Sequence, residues 1–368
     1  MTNCKSLHFT STPNSLSRIV WIDVARAVAI LMVLLIHSLD GIYESCLYGG
    51  QPIDTVTNIF ITTFYTLGRL GVPLFLFISG ALLLNKNFTD KKNIVQFYKK
   101  NYLNLLICFL IWIVIYNILI PIIRNESFSI KKMLLELLFL RTNDLSHMWY
   151  MYVILGIYII IPFLSVVLNK FPKSAIFPVM LLITFNTMIL PNTSSLLKVF
   201  GIDLPSNIVL DINGVGSYYT IYLITGFYLY NGVFKSIKTS YISFLGIVFF
   251  IGSIFVQVLT SHGGQRHNIW YDFIGLYLCS ICVFELFSRI SLKNKYTILL
   301  TNELSKRALA IYFIHIPIIF LLKRTGFFQN IPRSIGFFIL FIVTLMLSLL
   351  LINFLCKIKT IRKWVLMM

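Results

Sequence analysis

Charge is scarce in this sequence: 12% of its residues are Asp, Glu, Lys or Arg, and only 13 are acidic. With 58% hydrophobic and 15% aromatic residues beside so little charge, the chain cannot clothe a water-soluble domain in polar surface. Cysteine is sparse as well. The six stand at 4, 46, 108, 279, 282 and 356, and the one close pair, Cys279 and Cys282, lies inside the apolar run "YLCSICVF". No His or Cys stands near them at zinc-ligand spacing, so neither a metal site nor a disulfide framework is expected. Low-complexity tracts, clear internal repeats and long polar linkers are also missing, so residues 1–368 read as one integral domain. No small-residue cleavage site follows the first apolar run, which argues against a removed secretory signal and for an uncleaved first span behind a short tail, 1–17.

Long apolar runs are what the sequence has in abundance. A spanning helix needs about 20 mostly apolar residues. The segments 19–39, 57–84, 102–123, 149–169, 174–191, 215–234, 241–260, 268–289, 304–322 and 334–356 meet that need. The alternating pattern of a membrane barrel is absent, so the expected fold is an all-α polytopic integral membrane protein, with about ten transmembrane helices in one bundle. The net charge of +18 would suggest nucleic acid in a soluble protein. Here the basic residues sit in short loops, where they set topology against the lipid bilayer, and no nucleic-acid partner is expected. With the N-terminus cytoplasmic, 20 of the 31 basic residues fall on the cytoplasmic side and nine on the other, while Arg26 and Arg69 lie within spans. Both termini, including the basic tail 357–368, are therefore expected in the cytoplasm.

Ionisable groups inside spans are costly unless they are paired or used. The first run, "RIVWIDVARAVAILMVLLIHSL" (18–39), carries three: Asp23, Arg26 and His37. Eleven residues at 100° each return to within about 20° of the same face, so Arg26 and His37 share a stripe, roughly 16 Å apart along the axis. Asp23, three residues before Arg26, falls on the same side and can neutralise it. In "GRLGVPLFLFISGALLL" (68–84), Arg69 precedes a Gly-Val-Pro and a Ser79-Gly80 pair. That pattern predicts a break near Pro73 and close approach of another backbone at Ser79-Gly80. In "SHMWYMYVILGIYIIIP" (146–162), His147 enters a group with Trp149, Tyr150 and Tyr152, for which interface anchoring is the ordinary account. In "ELSKRALAIYFIHIPII" (303–319), His315 falls in mid-span three residues after Tyr312, where a tyrosine or a backbone carbonyl would satisfy it. "SHGGQRHNIWYD" (261–272) reads as an external loop with two solvated histidines.

These residues carry a resemblance. Asp23, Arg26 and His37 match the Arg-x10-His signature of the acyltransferase 3 family. "GVPLFLFISG" (71–80), "HMWYMYVILGIYIIIPFL" (147–164) and "AIYFIHIPII" (310–319) are similar to that family's later blocks, in order. Ala310 stands where many members have Gly, and Leu76 replaces the second Phe of a Phe-Phe pair; neither touches a catalytic atom. The resemblance implies a ten-helix bundle in the cell (inner, cytoplasmic) membrane of a bacterium. It would move an acyl group, usually acetyl from acetyl-CoA, to a hydroxyl of a cell-envelope glycan or lipid-linked sugar. It implies His37 as the essential catalytic residue and Arg26 as its partner. No metal is implied. Arg69, Asp23 and Ser79 are then the candidates for the donor, and His147, Trp149, Tyr150, Tyr312 and His315 for the acceptor or the oxyanion. The basic stretch Lys86 to Lys100 is placed to collect an anionic donor, although topology alone would explain it. A transporter or flippase of lipid-linked sugars is the competing class, because it too would line a path with ionisable groups.

Overall fold

The computed structural model describes residues 19–47, 54–198, 200–206, 218–260 and 269–368, and all regular structure among them is helical. The tail 1–17 and the loop histidines His262 and His267 lie outside the described residues. The helices are α1 (Val20–Leu47), α2 (Thr55–Arg69), α3 (Gly71–Leu83), α4 (Lys91–Phe97), α5 (Leu103–Arg124), α6 (Ile130–Leu137), α7 (Trp149–Lys170) and α8 (Lys173–Thr184). They continue as α9 (Leu190–Lys198), α10 (Tyr218–Tyr230), α11 (Thr239–Leu259), α12 (Ile274–Ser288), α13 (Lys295–Arg324), α14 (Arg333–Leu355) and α15 (Lys359–Trp364). Short π-helical turns join α4 to α5 and α8 to α9.

Eight stretches among the described residues are long and apolar enough to cross a membrane. The other two expected spans, 215–234 and 268–289, hold the shorter helices α10 and α12, and residues 207–217 and 261–268 ahead of them lie outside the description. The chain is therefore an all-α, polytopic membrane protein. In lipid every backbone polar group must be satisfied within the segment, and helices do that.

Burial sorts the helices. In the α2–α3 stretch 78% of the apolar window is buried, against 17% in α11, whose Phe244, Ile247 and Phe255 face outward as lipid-contacting side chains do. α1 sits at the centre, packed on α2, α3, α12, α13 and α14. Small residues let these backbones close up. A Cβ on Gly71 would come 2.7 Å from the Ala29 carbonyl oxygen, and one on Gly68 would come 2.7 Å from Ile36, so the α2–α3 junction lies directly on α1. At Gly80 an added Cβ would overlap the Leu223 carbonyl of α10, and at Gly226 of α10 it would overlap the Phe77 backbone. The expected approach at Ser79-Gly80 is thus made by α10.

The break in this span falls at Leu70, three residues before the expected Pro73. Pro73 instead sits in the first turn of α3, where its missing N–H has no intrahelical acceptor to lose. Beyond α14, the basic tail folds back. α15 leads to Leu366, which is buried, and the Val365 carbonyl accepts hydrogen bonds from Trp112 Nε1 (2.9 Å) and Cys108 Sγ (3.3 Å) of α5.

Candidate active site: two chambers along α1

The polar stripe of α1 opens into two cavities. The larger, about 780 Å³, is lined by Arg26, Ser79, Tyr158, Ser305, Lys306 and Arg362 among apolar side chains. The smaller, about 90 Å³, is lined by His37, Asp40, Arg69, His147, Trp149, Trp270 and Tyr271, among others. Phe75, Tyr150 and Tyr312 belong to the walls of both, so these three rings form the constriction between them.

In the larger chamber Arg26 Nη1 donates to Ser305 Oγ (3.1 Å) and lies 3.5 Å from Asp23 Oδ1. Ser305 in turn donates to that carboxylate oxygen at 2.6 Å. A buried Asp23, one turn before Arg26 and across from α13, thus fixes the guanidinium toward the cavity. Ser79 hydrogen-bonds Tyr158 in the same wall.

In the smaller chamber His37 Nδ1 lies 3.3 Å from Asp40 Oδ2, one turn along α1. Three imidazoles gather here: the ring centres of His37 and His315 are 5.2 Å apart, those of His147 and His315 5.4 Å, and those of His37 and His147 6.0 Å. Their protons follow from their partners. His315 Nδ1 is 3.0 Å from the Ile311 carbonyl, which only accepts, so the proton is on Nδ1. Tyr116 donates its one proton to the Phe313 carbonyl, so it accepts from His147 Nε2 at 3.3 Å. His315 Nε2 and His147 Nδ1 are left as buried lone pairs without a hydrogen bond. Tyr312 donates to the His147 carbonyl at 2.7 Å and holds that turn in place. Among the described residues, no group of three His, Cys, Asp or Glu is placed to hold a metal ion.

Arg69 closes the chamber on another side. Its guanidinium carbon lies 4.3, 4.7 and 5.1 Å from the ring centres of Trp270, Tyr65 and Tyr271, and it donates to the Tyr65 hydroxyl. A desolvated cation over aromatic faces is held strongly. Trp149 continues the aromatic wall against Tyr219, Trp270 and Tyr271.

A family model described as an acyltransferase domain matches residues 19–353. The chain belongs to the acyltransferase 3 family. It is a multi-pass membrane acyltransferase. No curated protein and no solved structure matches it.

For this acyltransferase, the structure gathers His37, Arg69, His147, Trp149, Tyr150 and Tyr312 around one cavity, with His315 packed behind, and Asp23, Arg26 and Ser79 around the other. Arg69 therefore does not join Asp23 and Ser79 as the sequence grouping had it. It ends α2 on the His37 side, where the rings caging it come from α2 and the 269–273 turn. The stretch Lys86–Lys100 lines neither chamber. Lys91, Lys92, Lys99 and Lys100 flank a separate shallow groove, and burial pushes the Lys86 ammonium below its ordinary pKa. Asp40, Tyr116, Trp270, Tyr271, Ser305 and Arg362 were missed in sequence as functional candidates. Only Asp40 had a local signal, its one-turn spacing from His37.

Proposed function

We propose that this acyltransferase is an O-acetyltransferase that moves an acetyl group from acetyl-CoA to a hydroxyl of a cell-envelope polysaccharide or lipid-linked sugar. One observation carries the reading: a His37–Asp40 pair in a small chamber whose walls are shared, at three rings, with a large chamber lined by cations. A volume of about 780 Å³ is in the range of cofactor-sized sites. The bias of basic residues puts the Arg26 end of α1 on the cytoplasmic side, where the donor is made.

In this scheme the thioester end of the donor passes between Phe75, Tyr150 and Tyr312 and meets the acceptor hydroxyl beside His37. Asp40 keeps the proton on Nδ1, so Nε2 takes the hydroxyl proton as the oxygen attacks the thioester carbonyl. The C–O bond forms, the C–S bond breaks, and the imidazolium returns its proton to the departing thiolate. The caged charge of Arg69 faces the oxyanion that forms in between. The bare lone pair at His147, in the chamber wall, suits a hydroxyl donor, as a sugar acceptor supplies.

The test is expression of wild type and His37→Ala at equal membrane levels in a host without such an enzyme, with base-labile acetyl on envelope glycan read by mass spectrometry. Acetyl should appear with wild type and fall by about 100-fold or more in the variant. Equal acetylation in both would remove His37 from the chemistry. Altered glycan export with no acetyl in either would replace acyl transfer with transport.

A further inference from the structure

The family match ends at residue 353, yet residues well beyond it complete the large chamber. Arg362, Met367 and Met368 all line that cavity. They are held there by design of the local chain. Trp112 and Cys108 pin the Val365 carbonyl, Leu366 is buried, and the Met368 N–H donates back to the Arg362 carbonyl at 2.9 Å. Met367 adopts φ 52°, a left-handed conformation that non-glycine residues rarely take unless their surroundings impose it.

The cations around the chamber are not equivalent. Arg26 is paired with Asp23, and Lys306 with Glu303 at 3.2 Å. Arg362 is exposed on the strap and makes no ion pair with a carboxylate of the described residues. No Asp or Glu side chain lines the cavity. An unpaired guanidinium at the wall of a roomy, largely apolar chamber suits a ligand with an anionic head and a long uncharged arm.

We propose that residues 359–368 form a donor-recognition strap, in which Arg362 binds a phosphate of the phosphorylated acyl carrier and Met367 and Met368 flank its thioester arm. This rests on the acyl-CoA reading above. A membrane phosphate could satisfy the same guanidinium, so the test separates the two sources. The full chain is placed in phosphatidylcholine nanodiscs, and CoA, dephospho-CoA and pantetheine are titrated by calorimetry into wild type, Arg362→Gln and Arg362→Lys, with melting temperatures as a check on folding.

Arg362→Gln is expected to weaken CoA binding by about tenfold or more while leaving pantetheine unchanged, and Arg362→Lys to recover part of the loss. CoA binding equal to wild type in Arg362→Gln would overturn the strap and leave the donor reading standing. Equal loss of CoA and pantetheine would also overturn it, because the phosphate is then not what Arg362 reads. If Arg362→Gln changes only the response to added phosphatidylglycerol, the guanidinium serves lipid and the proposal fails. Wild type that binds neither CoA nor pantetheine would instead fail the donor reading itself.

Discussion

A lone imidazole in a cavity is an indifferent base until something fixes its proton, and on α1 that something is Asp40, 3.3 Å from His37 Nδ1. Asp40→Asn keeps the shape and removes the acceptor charge, so Nδ1 loses its partner of choice and the two tautomers compete. Its expected outcome is a fall in kcat of about 100-fold with the KM for donor within about twofold of wild type, measured on purified enzyme. A matching change in KM would mean that Asp40 positions substrate instead. The residues of this site differ in how far the sequence exposed them. Asp23, Arg26 and His37 were legible because all three lie within one helix, whose 100° period is fixed by geometry. Asp40 escaped because the apolar run stops at Leu39 while the helix continues to Leu47, so a span read by hydropathy ended one residue short. Tyr116 and the Trp270–Tyr271 wall come from α5 and from the turn before α12, and no local pattern links such distant residues to His37.

Hydropathy located the spans, since lipid imposes both apolarity and length on a spanning segment, although α1 and α13 extend beyond their apolar runs. What hydropathy does not encode is which helices touch. Glycine carries part of that information, and only where a neighbour presses on it. Gly80 and Gly226 face each other's backbones across the α3–α10 crossing, whereas Gly156 on α7 has nothing within 4 Å of its would-be Cβ. Gly80→Ala should therefore force α3 off α10 and lower stability by about 1–3 kcal/mol. Gly156→Ala should be neutral or stabilising by up to about 1 kcal/mol, from helix propensity alone. Thermal unfolding of the two variants in detergent checks the pair, and similar melting temperatures for both would show that the crossing is not close. The Leu70 break belongs to the same scale: the residues around Gly-Val-Pro announced a discontinuity, but its position depends on Pro73 being tolerated in a first turn.

Taken whole, the molecule is a bundle around two adjoining rooms that share a wall, and the rooms differ in size by nearly an order of magnitude. The larger can accept a bulky carrier whatever that carrier bears. The smaller, about 90 Å³, has space for only a few water-sized groups, and in the proposed mechanism the acyl group sits there when it meets His37. In that mechanism the walls would act as a ruler for chain length. Across a series of acyl-CoA donors, transfer should be fastest for two- and three-carbon groups and fall about tenfold or more per added methylene once the room is filled. Phe75→Ala, which removes one ring of the constriction, should shift that cutoff to longer chains, and a flat profile in wild type would show that the room is not the ruler. Which decoration a surface sugar carries would then be decided by how much empty space lies beyond three aromatic rings.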